Sequence, residues 1–265
     1  MTTYPTSSLA ASLRIQTRVI WALVLREIIT RYGRHNIGFL WLFVEPMLFT
    51  TGIAALWTAL HATHGSSLPI IPFAITGYSG VLLWRNGVSR CANAVEPNKV
   101  LLFHRNVRVL DFFLARVLLE IAGATASFML IATSAVFLGL MKPPADIGQM
   151  VVGWLLLAWY ALGLGLVVGA LSERSEMLDR VWHTITYLYF PFSGAAFMVS
   201  WLPRKVQQYA QYVPTVNLNE MIRGGYFGSA VDVHFDVIYM IKANLILTML
   251  GLAMVRDVGR RVEGE

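Results

Sequence analysis

The sequence predicts an all-α polytopic membrane protein with six transmembrane helices, an N-terminal amphipathic interface helix, and re-entrant gate helices on the outer side between spans five and six. Three observations lead to this fold class. Only 14% of the 265 residues are charged, against roughly 25% in soluble domains. Several runs of membrane-spanning length are almost free of charge, and the mean hydropathy is +0.59. The basic residues are concentrated on alternate connections between these runs.

The spans follow from the apolar runs. A bilayer core of about 30 Å needs roughly 20 apolar residues in a helix. Residues 121–141 and 147–171 contain no Asp, Glu, Lys or Arg. A β-barrel would instead show strands of about ten residues with alternating polarity. The six predicted spans are 37–60, 68–90, 112–140, 147–171, 181–199 and 236–255.

Orientation follows from the basic residues. Sixteen of the 21 Lys and Arg residues lie before span one, around the second and fourth connections, and after span six. The positive-inside rule therefore predicts that both termini are cytoplasmic. The net charge of +6 fits inner loops and anionic lipid headgroups rather than nucleic acid. The predicted domains are a cytoplasmic interface segment over 1–36, a transmembrane domain over 37–255 and a cytoplasmic tail over 256–265.

The first 36 residues do not have the compact apolar core of a signal peptide. Ile15, Val19 and Leu23 recur every four residues beside Arg14 and Arg18. This spacing predicts a basic amphipathic helix on the inner leaflet, with a solvated leader helix as the alternative.

Nucleotide and metal chemistry have no signature in the sequence. There is no G-x-x-x-x-G-K-[ST] phosphate loop, in which a lysine follows a glycine. There is no H-E-x-x-H motif, and Cys91 is the single cysteine. We therefore predict no catalytic residue, no metal and no cofactor in this chain, which is not an enzyme by itself. Active transport would need energy from another subunit or from an ion gradient.

Charged residues inside spans one to three lie toward the inner ends of these spans. Glu45 and Arg85 are predicted at similar depth, where an ion pair would reduce the cost of burying them in lipid. Arg116 and Glu120 are four residues apart, a spacing that allows them to pair along one helix. The pairs either hold the bundle together or line an inner mouth where an anionic headgroup enters.

The outer segment 200–236 is too long for a simple turn. Its aromatic residues suggest that the segment dips into the membrane interface: Trp201, Tyr209, Tyr212 and Tyr226. Proline limits helix continuation, so Pro203 and Pro214 should divide the segment into two short helices. We interpret it as an outer gate in which Glu220 and Arg223, three residues apart, pair to fix the structure.

Span four carries Gly165 and Gly169 on one face, a pattern that lets helices approach closely. We expect contacts within the chain to use this face, with a dimer contact as the alternative.

Several segments together resemble one family. Residues 26–32 read R-E-I-I-T-R-Y, residues 37–41 read I-G-F-L-W, and Glu45-Pro46 follows. This order is similar to the opening of ABC-2 type polysaccharide-export permeases, and the Glu-Pro pair most resembles the KpsM-type, capsule-exporting branch. Residues 92–105 lie where the family has its coupling segment, and residues 115–120 again look capsule-like. Residues 214–223 resemble its N-P-x-x-x-x-x-E-x-x-R element, although Val213 replaces the asparagine.

The resemblance implies a homodimer of six-span subunits in the bacterial inner membrane, each docked on a separate cytoplasmic ATPase that binds ATP and Mg. It implies export of a lipid-anchored acidic capsular polysaccharide from cytoplasm to periplasm, together with a periplasmic adaptor and an outer-membrane exporter. The alternatives are an exporter of O-antigen or teichoic-acid type, a non-transporting scaffold of a glycan biosynthesis complex, and an ion-coupled carrier.

Three groups of candidate residues follow. ATPase coupling is assigned to an inner segment that combines apolar and basic side chains, with a membrane-surface helix as the alternative: Glu96, Asn98, Lys99, Leu101, Leu102, Phe103 and Arg105. The substrate path is assigned to rings that stack on sugars and to the two intramembrane charges, although each ring is also compatible with a lipid-facing or core position: Trp41, Phe43, Glu45, Arg85, Tyr187, Tyr189 and Phe190. The gate is assigned to Pro214, Glu220 and Arg223, with direct contact to the glycan as the alternative role of the two charged residues.

Overall fold

A computed structural model describes residues 9–33, 36–61, 68–104 and 106–262. This part of the chain is helical and contains no β-strand. Its helices are α1 (Leu9–Tyr32), α2 (Asn36–Ala59), α3 (Ile70–Ser89), α4 (Val109–Phe137), α5 (Ile147–Ser172), α6 (Glu176–Tyr189), α7 (Arg204–Ala210), α8 (Pro214–Phe227) and α9 (Val237–Val262). A 3₁₀ helix over Glu96–Phe103, here called the inner 3₁₀ helix, precedes α4.

Within the ranges given above, four helical stretches are long and apolar enough to cross a membrane: Leu40–Ala59, Val109–Phe137, Ile147–Ser172 and Val237–Val262. They correspond to predicted spans one, three, four and six. Predicted span two corresponds to α3, which is an interior helix because every residue from 72 to 84 is buried. Its environment is therefore set by other helices rather than by lipid.

The fifth predicted span, 181–199, is wrong as a single helix. Helix α6 begins earlier, at Glu176, and ends at Tyr189. Its 14 residues extend for about 21 Å at 1.5 Å per residue, less than the bilayer core of about 30 Å. Pro191 follows in a short 3₁₀ turn, and Gly194 adopts φ +80°, a left-handed conformation that favours glycine. The chain then continues in turns to α7.

Helix α5 is the central element, with its most extensive contacts to α9, α3 and α8. The glycine face of α5 packs within the chain. A Cβ placed on Gly169 would lie 2.5 Å from Cε1 of Phe113, and one on Gly165 would lie 3.0 Å from Sγ of Cys91. Contacts inside the chain, rather than a dimer contact, therefore account for these glycines.

Helix α1 packs along the inner half of α4. A cluster of buried side chains, here called the inner core, includes Leu23 together with Phe112 and Val255. Val19 is partly buried against it, whereas Ile15 is exposed. Only part of the predicted apolar stripe therefore packs against the rest of the protein. A second apolar stripe on α1, formed by Trp21, Leu25 and Ile29 at four-residue spacing, is exposed. Two apolar faces suit a helix that lies between protein and lipid.

Candidate functional site

A cleft of about 450 Å³ opens among α1, α3, α4 and α6, at the end where the chain carries most of its basic residues. Four arginines line this inner cleft, together with one glutamate and with His183, Thr186 and Tyr187 from α6. The arginines are Arg31, Arg85, Arg90 and Arg116. An excess of guanidinium groups in a concave site favours an anionic ligand, since arginine binds carboxylate and phosphate in a bidentate geometry.

Two glutamates partly neutralise these arginines. Arg31 is bonded to both Glu27, at 2.9 Å, and Glu120. Arg116 Nε lies 3.3 Å from Glu27, and Arg90 Nε lies 3.5 Å from Glu120. The predicted Arg116–Glu120 pair is therefore wrong. Because α1 docks against α4, Arg116 pairs with Glu27 and Glu120 pairs with Arg31. These contacts between helices replace the predicted pair within α4.

Arg85 forms no ion pair among the described residues, whereas the other three arginines share the two glutamates. Its Cζ lies 5.7 Å from the centroid of the Tyr187 ring, a distance at which a cation is attracted to an aromatic face. The ion pairs among the described residues do not include Glu45–Arg85, so this predicted pair is also wrong. Glu45 belongs to α2, and α2 contributes no residue to the lining of the inner cleft.

The predicted path residues lie in three places. Arg85 and Tyr187 line the inner cleft. Tyr189 and Phe190 pack against the core: Tyr189 donates or accepts at 2.8 Å with Thr215 Oγ1, and its ring meets that of Trp84 edge-on at 5.4 Å. The remaining members lie on α2, where Trp41 is exposed while Phe43 and Glu45 are half-buried.

The inner 3₁₀ helix is fixed at its start and exposed at its end. Glu173, just after α5, accepts a hydrogen bond from Val95 N at 2.8 Å. Burial raises the pKa of the Glu173 carboxyl above its usual range, and this hydrogen bond acts against that shift. Asn98 is buried, donates to Ala94 O at 2.8 Å and accepts from Arg26 on α1. Phe103 is 90% exposed.

The other predicted coupling residues surround these anchors. Glu96 and Lys99 pair at 2.7 Å on the surface, and Leu101 and Leu102 are half-buried against the inner core. Arg105 lies outside the described residues. Asn98 therefore positions the segment rather than presenting a contact surface, and Phe103 with the neighbouring Val100 is its most exposed apolar part.

The segment predicted to form the outer gate corresponds to α8, which begins at Pro214 and is buried from Thr215 to Tyr226. Arg223 is fully buried. Its Nη1 donates to the carbonyls of Gly194 and Phe197, both at 2.7 Å, and its Nη2 donates to Ala195. Its Cζ lies 3.7 Å from the centroid of the Phe73 ring. The guanidinium therefore holds together the loop that follows α6.

Glu220, on the same helix, binds backbone amides. Its two carboxylate oxygens accept from Val199 N at 2.9 Å and from His234 N at 3.0 Å. The ion pairs found in the described ranges do not include Glu220–Arg223, so the predicted pairing is wrong. Arg223 binds carbonyls of the segment that precedes α8. Glu220 binds one backbone amide before α8 and one after it.

Sequence reasoning missed the residues that depend on helix docking. Glu27, Arg31 and Arg90 build the inner ion network, and Glu173 anchors the inner 3₁₀ helix. The four-residue spacing of Glu27 and Arg31 could have predicted their ion pair along α1. Across the described ranges, no group of three or more His, Cys, Asp or Glu side chains is arranged to hold a metal ion.

The chain matches known proteins over nearly its full length. The family model described as ABC-2 type transporter matches residues 18–227. The chain is 49% identical to the capsule polysaccharide export inner-membrane protein CtrC of Neisseria meningitidis serogroup B, over 95% of both chains. It is 42% identical to the corresponding protein BexB of Haemophilus influenzae, again over 95% of both. It is 26% identical to the polysialic acid transport protein KpsM of Escherichia coli, over 91% of this chain and 94% of the relative. The chain therefore belongs to the ABC-2 type transporter family of membrane proteins.

Proposed function

We propose that this chain is the permease subunit of an ATP-driven exporter that moves a lipid-anchored acidic capsular polysaccharide from the cytoplasm to the periplasm. The relatives are named for capsule polysaccharide export and polysialic acid transport. The inner cleft is the observation that carries the proposal. Its arginines outnumber the nearby carboxylates, which suits the entry of a polymer or anchor with negative charge.

The energy comes from a separate cytoplasmic ATPase that binds ATP and Mg. The inner 3₁₀ helix provides the docking element, because Val100 and Phe103 project from a segment whose start is fixed to α5 and α1. An apolar anchor on a short helix fits a groove on a partner. Two ATPase copies serve a homodimer of this chain.

The proposed topology has six crossings in the bacterial inner membrane and both termini in the cytoplasm. The four long apolar helices supply four crossings. The buried α3 supplies the second, and α6 with the turns after it supplies the fifth. A periplasmic adaptor and an outer-membrane exporter complete the route, and α7 and α8 form the gate on the periplasmic side.

The test is complementation of a strain that lacks this gene, with polymer measured separately at the cell surface and inside the cell. The wild-type chain should restore surface polymer. Arg85→Gln should leave polymer inside while the protein stays in the membrane, because Arg85 has no ion pair in the described ranges and its charge is available to the cargo. Arg180→Gln is the matched control, since Arg180 is an exposed arginine of α6 outside the cleft.

Two results would count against these proposals. Failure of the wild-type chain to restore surface polymer contradicts the transport function. Equal export by Arg85→Gln and Arg180→Gln contradicts the role of the inner cleft as the entry site.

A further inference from the structure

A second cleft, of about 440 Å³, lies on the outer side between the end of α7 and the start of α9. Its volume falls in the range of small-molecule sites, roughly 300–1,000 Å³. Besides two apolar residues, its lining includes tyrosines, uncharged polar side chains, one carboxylate and one histidine: Gln211, Tyr212, Asn217, His234, Asp236 and Tyr239. Neither the inner entry site nor the buried contacts of the gate account for this outer cleft.

The aromatic part of the outer cleft is held in place and open to solvent. Tyr212 and Tyr239 meet edge to face, with ring centroids 6.4 Å apart and planes at 87°. The Tyr239 hydroxyl donates to the backbone carbonyl of Tyr212. The Tyr212 side chain is nonetheless 72% exposed. It therefore offers an apolar face with a polar edge, the combination that aromatic residues bring to binding surfaces.

The polar part is ordered by hydrogen bonds within the chain. Asn217 is buried; its Oδ1 accepts from Asp236 N at 2.9 Å, and its Nδ2 donates to Gln211 O. Asp236 Oδ1 accepts from Ile238 N at 2.8 Å and from Tyr239 N at 3.0 Å. Within the described ranges, Asp236 Oδ2 has no hydrogen-bond partner. A carboxylate fixed through one oxygen keeps the other as an acceptor for hydroxyl donors.

The charge of the outer cleft differs from that of the inner cleft. The described residues that line it include no Lys or Arg, whereas four arginines line the inner cleft. A carboxylate or phosphate group would meet Asp236 without a compensating cation. The chemistry therefore suits a ligand that presents hydroxyl groups and an apolar C–H face, which is the chemistry of a sugar ring.

We propose that the outer cleft binds one sugar residue of the polymer as it leaves the gate, with the ring against Tyr212 and its hydroxyls toward Asp236 and Gln211. This inference rests on the proposed transport function. The acidic groups of the polymer point away from the cleft. Because the site is preformed, little ordering is needed when a sugar binds.

The experiment measures binding of end-labelled short oligosaccharides, cut from the strain's own capsule, to the purified complex in nanodiscs. The double variant Gln211→Ala/Tyr212→Ala removes two exposed side chains but keeps the backbone carbonyls that accept from Asn217 and Tyr239. Binding should weaken about fivefold, the effect of losing one aromatic contact of about 1 kcal/mol.

The sequence supplies a matched control, because the same residue pair occurs three positions earlier. Gln208→Ala/Tyr209→Ala removes a glutamine and a tyrosine that are also exposed, Tyr209 by 74%, and that do not line the cleft. This variant should bind as the wild type does. Asp236→Asn provides an independent arm, since asparagine still caps α9 but replaces the accepting oxygen with an amide donor. It should also weaken binding.

The outcomes separate the inference from the proposed function. If the wild type exports capsule but binds no oligosaccharide, or if the two double variants bind equally, the sugar site is wrong and the transport function stands. If the wild type does not export capsule, the proposed function fails. Weaker binding by Gln211→Ala/Tyr212→Ala and by Asp236→Asn, with an unchanged control, supports the site.

Discussion

A guanidinium buried among apolar helices is costly unless its donors are bonded. Arg223 meets this condition at Nη1 and Nη2, which donate to carbonyls of the loop after α6. Its Nε is buried and has no hydrogen-bond partner among the described residues. The arrangement also depends on Gly77 of α3, because a Cβ at this position would collide with Arg223 Nη2 and would lie 2.5 Å from Ala195 O. A side chain as small as a methyl group therefore has no room where α3 meets the gate.

Gly77→Ala should consequently destabilise the protein, by about 1–3 kcal/mol as expected for an overpacked core. The measurement is thermal unfolding of the purified protein in detergent, followed by size-exclusion chromatography. Gly52→Ala on α2 is the control, since a Cβ there meets no atom within 4 Å. An unchanged unfolding temperature for Gly77→Ala would show that the gate is looser than these contacts indicate.

The separate bonding of Glu220 and Arg223 gives a second prediction. Each single exchange, Glu220→Arg or Arg223→Glu, should abolish the folded protein, because carbonyls would face a carboxylate or amides would face a cation. The double exchange should not restore it, since the two side chains bind backbone groups rather than each other. Recovery of folded protein in the double exchange, measured as the monodisperse fraction after solubilisation, would instead indicate a direct ion pair.

Among the helices, α5 extends from the inner 3₁₀ helix to α8, the two elements that we propose for ATPase docking and for the gate. Its 26 residues extend for about 39 Å. At the outer end, Asp146 N donates to Gly225 O of α8 at 2.7 Å, and Gln149 Nε2 donates to Met221 O at 3.1 Å. At the inner end, Glu173 accepts from Val95. We therefore expect α5 to transmit a displacement of the inner 3₁₀ helix to α8.

The inner 3₁₀ helix gives a prediction that distinguishes two neighbouring side chains. Phe103→Asp should abolish co-purification of the ATPase without affecting membrane insertion, because the Phe103 side chain is almost fully exposed. Leu102→Asp should reduce the amount of folded protein as well, because Leu102 packs against the inner core. The measurement is the ratio of ATPase to permease after affinity purification. Normal ATPase binding by Phe103→Asp would exclude this residue as the docking contact.

Element prediction from the sequence succeeded where apolar runs were long. Residues 147–171 were predicted as a span and match α5, because a charge-free run of that length fits a membrane crossing. The predicted fifth span begins and ends later than α6. The start is late because the first turns of α6 carry Glu176, Asp179 and Arg180, and the end is late because hydropathy does not register the turn at Pro191 and Gly194. The interior position of α3 was also not predictable, since a helix buried by other helices and one facing lipid both read as apolar.

The side-chain partners were less predictable than the helices. Spacing along one helix suggested Arg116–Glu120, whereas Glu120 binds Arg31 and Arg90, and Arg116 binds Glu27. Those partners exist only after α1 docks on α4, and no local pattern encodes that docking. The gate residues Glu220 and Arg223 were identified from a family resemblance, but their bonding partners required the tertiary structure.

At the scale of the whole molecule, two clefts of different chemistry lie at opposite ends of the bundle. The inner cleft carries four arginines, and the outer cleft carries tyrosines and hydrogen-bonding groups without Lys or Arg among the described lining residues. A polymer would contact the inner cleft through its negative charges as it enters, and the outer cleft through its sugar rings as it leaves. Tight binding at either end would oppose movement, and both clefts are open to the surroundings rather than enclosed.

We propose that this chain moves an acidic polysaccharide across the membrane with energy from a separate ATPase. The most direct test uses inverted membrane vesicles that contain the chain, the ATPase and lipid-linked capsule polymer, with a polymer-degrading enzyme added outside. We predict that ATP makes the polymer resistant to this enzyme, that vesicles lacking the chain show no such protection, and that a protonophore has no effect. Protection driven by a proton gradient without ATP, or no protection when every component is present, would contradict the claim.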